Sequence, residues 1–212
     1  MSIWVEMQQA HERWEPTAHR HWRRWMEEDV PDDAAARYAV AHAELLDGLA
    51  DGGAWLTSAY RSDALARTAG EDRALARRWR DLAGSAGAMA DPAWHATREC
   101  ADVWAGAEAG AGRVERLLIL HGVATLRIAI ATCVLGALAD RPERALDARR
   151  LLLDEAAIAC RQQEAVRALV EGAAPLRGAV AVSHAEAALS AYWDLLEELA
   201  LAAVVQRPLL AA

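Results

Sequence analysis

The chain carries 7 histidines and 31 acidic residues, the groups through which a protein holds a metal or moves a proton. Their spacing limits the chemistry open to it. A helical di-iron carboxylate site takes one Glu from each of two helices and a Glu-x-x-His pair from each of two others, because residues three apart project into one core. No histidine here has Asp or Glu three residues before it. The nearest pairs are Glu15 with His19 and Asp91 with His95, one residue too far apart. Glu15 precedes Pro16 at a helix break, and Asp91 suits a helix N-cap. His42 and His184 stand two residues before Glu44 and Glu186, a spacing that does not share a helix face. His11, His19 and His21 lie in a stretch rich in Arg and Trp and read as surface or interface residues. His121, inside an apolar segment, is the best single ligand candidate, although a hydrogen-bonded core histidine is the commoner use of such a position. Gly110-Ala111-Gly112 lacks the third glycine of a dinucleotide loop, and no Walker loop, G-x-S-x-G elbow or H-E-x-x-H pair occurs. These spacings predict a chain with no catalytic residue, metal ligand or bound cofactor of its own.

The elements that would position these groups are helices. Alanine fills 52 of 212 positions, Arg supplies all 23 basic residues in the absence of Lys, and Phe is missing beside 9 Trp. Ala, Leu, Arg and Glu favour helix, whereas the residues that strands favour are scarce. The composition predicts an all-α protein. Punctuation places helices over Ile3–Glu28 with an interruption at Pro16, over Asp33–Ala69, and over Glu71–Leu82 after a cap at Gly70. Gly52-Gly53 marks either a break or a close helix crossing. Asp91-Pro92 restarts a helix that runs through Trp94, Arg98 and Trp104. Arg113–Ala139, Glu143–Glu171 and Leu176–Val205 complete the set, as one helical domain with an N-terminal arm over about 1–29 and a bundle over about 32–205.

A formal net charge of −8 argues against a nucleic-acid partner. Cys100, Cys133 and Cys160 stand far apart and form no disulfide framework, and Met1–Glu6 does not resemble a signal peptide, so a cytoplasmic location is expected. Leu117–Ala139 is long and apolar enough to span a bilayer. It nevertheless contains His121 and Arg127, and a central Arg costs about 2.5–3.5 kcal/mol on insertion scales, which favours a buried core helix over a membrane span. Trp14, Trp22 and Trp25 alternate with Arg20 and Arg23 near the N-terminus. Trp and Arg dominate interface hot spots, so this stretch suits either an ordinary amphipathic helix or a partner-binding surface.

Two stretches resemble the non-catalytic β subunit of bacterial multicomponent di-iron monooxygenase hydroxylases of the toluene, phenol and alkene type. Trp55-Leu56-Thr57-Ser58-Ala59-Tyr60-Arg61 is similar to that family's tryptophan-leucine-threonine run followed by tyrosine-arginine. Asp91-Pro92-Ala93-Trp94, with Arg98-Glu99 beyond, is similar to its proline turn and the helix that follows. The resemblance implies a ferritin-like bundle of long helices and an auxiliary role beside a larger iron-containing α subunit, which holds the di-iron centre and hydroxylates or epoxidises a small organic substrate. It also implies contact, through the complex, with a reductase and a small effector protein. On this reading Trp14, Arg20, Trp22, Arg23, Trp25, Trp55, Tyr60, Arg61, Trp94 and Arg98 face the partner. Two alternatives stay open: a stand-alone metal-dependent oxidase of the haem-oxygenase-like kind, with ligands such as His121, Glu115, His42 and Glu44, and a small-molecule-binding helical protein.

Overall fold

In a computed structural model, which describes residues 2–27, 32–85, 95–107, 111–138, 146–171 and 178–205, every extended element is a helix, as the composition requires. Helix α1 (Ile3–Arg13) begins at Ser2, whose hydroxyl accepts the Trp4 N–H. Pro16 opens a 3-10 turn, Pro16–Ala18, and α2 (Arg20–Glu27) follows, so the proline interrupts the N-terminal segment where expected. Then come α3 (Asp32–Tyr60), α4 (Asp63–Ser85), α5 (His95–Trp104), α6 (Arg113–Leu138), α7 (Leu146–Glu171) and α8 (Gly178–Val205).

The boundary between α3 and α4 differs from the sequence reading, which runs one helix to Ala69 and caps it at Gly70. The chain turns instead at Arg61, whose φ of 52° is left-handed. Ser62 N–H then donates to the Thr57 carbonyl, which closes a Schellman motif around a residue that is usually glycine. Ser62 also caps the next helix by accepting the Leu65 N–H at 3.3 Å. Gly70 lies inside α4 with open space around it. The terminator carries neither Gly nor Pro, which is why punctuation alone missed it.

Gly52-Gly53 turns out to be a crossing. A Cβ on Gly48 would stand 2.5 Å from the Ala101 carbonyl oxygen, and one on Gly52 would stand 2.9 Å from that of Ala105. Bare backbone on one face of α3 therefore lets α5 lie against it. The turn expected at Asp91-Pro92, Trp94 included, falls outside the described residues, as do the turns expected over 140–142 and 172–175.

Helix α6 is the centre of the packing. It lies against α7 and α8, touches α3, and meets α1, α2 and the 3-10 turn. Arg113–Ala137 has the length and composition to cross a membrane, yet Leu117, Leu118, Val123, Ala124, Leu126 and Ala131 are fully buried within the bundle. Helices α3 and α4 form a hairpin, and α4 also packs on α7. The N-terminal segment is stitched to α8 by Arg13 and Trp14 on Glu186 and by His19 and Arg20 on Glu197. His11 adds a 2.9 Å contact from its Nε2 to the Gly122 carbonyl of α6.

Candidate functional site

Five helices each send one or two polar side chains into an interior otherwise built from Ala and Leu. Helix α3 supplies Tyr38 and His42, one turn apart and so on one face. Helix α4 supplies Asp72, α6 supplies Arg127, α7 supplies Glu155 and Gln162, and α8 supplies Tyr192; all seven are at most 2% exposed. Arg127 is the hub. Its Nε donates to Glu155 Oε1 at 3.1 Å, its Nη1 to Gln162 Oε1 at 2.9 Å, and its Nη2 to Asp72 Oδ1 at 2.9 Å. Gln162 Nε2 closes the ring by donating to Asp72 Oδ2. A planar guanidinium spreads its donors over three nitrogens in one plane and so reaches three separated partners, whereas an ammonium gathers its donors on a single nitrogen.

A second chain of hydrogen bonds leaves this hub. His42 Nε2 lies 2.8 Å from Glu155 Oε1, His42 Nδ1 lies 3.2 Å from the Tyr38 hydroxyl, and that hydroxyl lies 3.4 Å from the hydroxyl of Tyr192. An ionised carboxylate can only accept, which assigns the Nε2 proton to His42. In the neutral ring Nδ1 then accepts from Tyr38, and Tyr38 accepts from Tyr192. In that tautomer the donors run continuously from a phenol to a carboxylate.

The charges follow from burial and neighbours. Burial alone would push the Glu155 carboxyl up, but His42 and Arg127 outweigh it and hold the group at about 2. Burial pushes the Asp72 carboxyl above its usual value, against the pull of Arg127 and Gln162. Arg127 is held above its usual value because Asp72 and Glu155 overcome the burial that opposes its charge. Burial also raises both Tyr38 and Tyr192, so the phenols stay protonated.

Aromatic rings enclose the outer end of this path. His42 stacks on Tyr38 at 16° between planes, and Trp79 meets the His42 ring edge-on at 5.3 Å between centroids. Trp22 and Trp25 of α2 cover Tyr38 at 5.0 and 5.5 Å, and His21 lies 5.8 Å from the same ring. Among the described residues, six buried side-chain polar atoms have no hydrogen-bond partner, and four belong here: Glu155 Oε2, Trp79 Nε1, Trp22 Nε1 and His21 Nε2. The Trp22 indole is near enough to Tyr192 to favour its anion, yet it makes no bond of ordinary geometry. Other indoles are satisfied: Trp104 Nε1 donates to the Ala188 carbonyl and Trp193 Nε1 to that of Trp14. An orphaned buried polar group costs about 1–3 kcal/mol, so their concentration at one place makes it the candidate site.

The residues singled out in the sequence scatter over several environments. Trp22 and Trp25 belong to this aromatic wall. Trp14 donates to Glu186 and packs edge-on against Trp193, Arg20 pairs with Glu197, and Arg23 is exposed. Trp55 is 43% exposed under the Arg116 guanidinium, which sits 4.3 Å above its ring. Tyr60 and Arg61 form the α3 terminator, Arg98 is exposed on α5, and Trp94 lies outside the described residues. His11, His19 and His21 are buried at 7%, 1% and 6% exposure, which corrects their reading as surface groups. The proposed ligands His121, Glu115, His42 and Glu44 do not converge. His42 is committed to Glu155 and Tyr38, and His121 packs on Trp4. Among the described residues no three His, Cys, Asp or Glu side chains are placed to hold a metal ion. The centre built on Arg127, Asp72 and Glu155 went unread in the sequence, where the one visible signal was an arginine inside the most apolar helix.

No family model matches the chain, and no curated protein matches it. Its structure is similar to that of a domain of unknown function with a haem oxygenase-like fold from Shewanella denitrificans OS217. The TM-score is 0.74 at 14% identity, over 94% of this chain and 92% of that one. The protein is therefore an all-α protein with the haem oxygenase-like fold. This corrects the resemblance to a di-iron hydroxylase β subunit, its ferritin-like bundle and the auxiliary function drawn from it. The physical reason is visible at Tyr60-Arg61: the motif is a helix terminator, a local device that any helical bundle can use. Both ring nitrogens of His42 and of His19 are engaged, so neither offers an open nitrogen to a haem iron, and His11 Nε2 faces a carbonyl.

Proposed function

We propose that this protein binds a small organic molecule at the Tyr38–His42–Glu155 centre of its haem oxygenase-like bundle and moves a proton on it. The observation that carries this reading is the path Tyr192–Tyr38–His42–Glu155, which joins two phenols through an imidazole to a carboxylate held ionised by Arg127. Such a relay suits general acid–base work, in which a side chain accepts or delivers a proton within hydrogen-bond reach of the reacting group. Asp72 and Gln162 are positioning residues that fix the guanidinium, and the guanidinium in turn fixes Glu155. The rings of Trp22, Trp25 and Trp79 supply the apolar walls typical of a small-molecule site.

A thermal-shift screen of small organic compounds tests the reading. A ligand present at one hundred times its dissociation constant adds about 2.7 kcal/mol to the folded state. Compounds that stabilise the wild type through this site should quench its tryptophan fluorescence and lose most of their effect on Y38F, which keeps the ring and deletes the hydroxyl. Equal stabilisation of wild type and Y38F, with no change in fluorescence, would place the binding elsewhere and defeat the proposal.

A further inference from the structure

The unpartnered atoms at this centre specify more than a vague affinity for small molecules. Resting on the reading above, we infer that the ligand is a small organic amine or amidine, flat or compact, whose N–H group docks on Glu155 Oε2 within the ring walls. Three observations point there. The first is the sharing of one guanidinium: Asp72 accepts at both oxygens and Glu155 accepts at Oε1 from His42 and Arg127, so two buried carboxylates draw on a single arginine. A ligand that brings donors suits such a cluster better than one that brings acceptors.

The second is the acceptor itself. Glu155 Oε2 is buried without a donor, while Oε1 of the same carboxylate already takes two. Arg127 directs Nε, Nη1 and Nη2 to Glu155 Oε1, Gln162 and Asp72, and His42 directs Nε2 to Oε1, so neither side chain bonds Oε2. A ligand N–H is the group that completes this site. The third is the wall. Trp22, Trp25, Tyr38 and Trp79 present a nearly continuous set of ring contacts, and π-faces attract organic cations, more strongly when water is excluded. The free indole N–H groups of Trp79 and Trp22 would take an acceptor atom on the same molecule, which gives the site an orientation. Helix α2, eight residues long, carries His21, Trp22 and Trp25 over Tyr38.

The test uses the full chain and three probes of one shape: benzamidine as the planar cation, toluene as the neutral body and benzoate as the anion. Binding is followed by calorimetry and tryptophan fluorescence in the wild type, E155Q and W79F, with circular dichroism to verify folding. The inference expects benzamidine to bind the wild type at least tenfold more tightly than toluene or benzoate, and E155Q to erase that preference. If E155Q does not fold, W79F must still prefer benzamidine, with a reduced fluorescence response. Tighter binding of toluene or benzoate at the same tryptophans would overturn the ligand class and leave the site standing. Absence of binding and of any fluorescence change with all three probes would remove both the class and the site.

Discussion

Replacing Arg127 with methionine keeps much of the side chain's volume and deletes its charge, in a position with 0% side-chain exposure. Asp72 and Glu155 would then lie buried without their common counter-charge, and Gln162 would lose its donor. Breaking one buried pair by removing a partner costs about 3–5 kcal/mol, and two stranded carboxylates put R127M at the upper end, about 5 kcal/mol. For a chain of this length each kcal/mol moves Tm by roughly 2–4 °C, so R127M should melt roughly 10–20 °C below the wild type at pH 7. Urea denaturation followed by tryptophan fluorescence gives the free-energy difference directly. The companion D72N/R127M/E155Q, which also neutralises the carboxylates, should recover at least half of the loss, and it keeps the test open if R127M alone fails to fold. Lowering the pH toward 4 should shrink the deficit of R127M, because its stranded carboxylates then take up protons. An R127M chain within 1 kcal/mol of the wild type, or a triple variant no better than the single, would refute the account of the hub.

The buried histidines predict acid lability. Burial, helped by His19 and Arg24, lowers His21 to about 3, and burial, helped by Arg167, lowers His121 to about 4; burial lowers His11 and His19 as well. The unfolded chain therefore binds more protons below pH 6.5, so stability present above that pH is lost as the pH falls toward 4, with His21 alone worth about 3 kcal/mol. The urea midpoint should drop across this window, and H21F should flatten the slope; an unchanged slope in H21F contradicts the assignment. At the α3 terminator, Arg61→Gly should stabilise by about 1 kcal/mol in the same denaturation assay, since glycine adopts the left-handed conformation without the penalty Arg carries. Gly48→Ala should cost about 1–3 kcal/mol because its Cβ would meet the α5 backbone, whereas Gly70→Ala, with open space around it, should stabilise by up to about 1 kcal/mol. The reverse order of those two variants would refute the helix crossing.

The helical class was legible because it is a sum over many residues, and an alanine-rich chain poor in strand formers leaves little choice. Helix ends were legible where Pro16 marked them, and illegible at Arg61, where a non-glycine residue takes the glycine role. Amphipathic pattern told that Trp22 and Trp25 cover something apolar, but not that Tyr38 of the same chain is what they cover. The hub was hidden for a similar reason. Searching for Glu-x-x-His finds ligands that share one helix, whereas His42 and Glu155 meet across 113 positions of sequence, and Arg127 and Asp72 across 55. Arg127 was visible as an expense within an apolar helix; read as a demand for buried carboxylates, it would have pointed to Asp72 and Glu155.

The measurement that bears most directly on the centre as a ligand site is proton–nitrogen NMR of the tryptophan indole groups during titration with the three probes. The indole N–H signals of Trp22 and Trp79, which have no acceptor in the free protein, should move together as benzamidine is added. Those of Trp104 and Trp193, already bonded to Ala188 and Trp14, should stay in place. Signals that all remain still with every probe, or shifts confined to Trp104 and Trp193, would contradict the site.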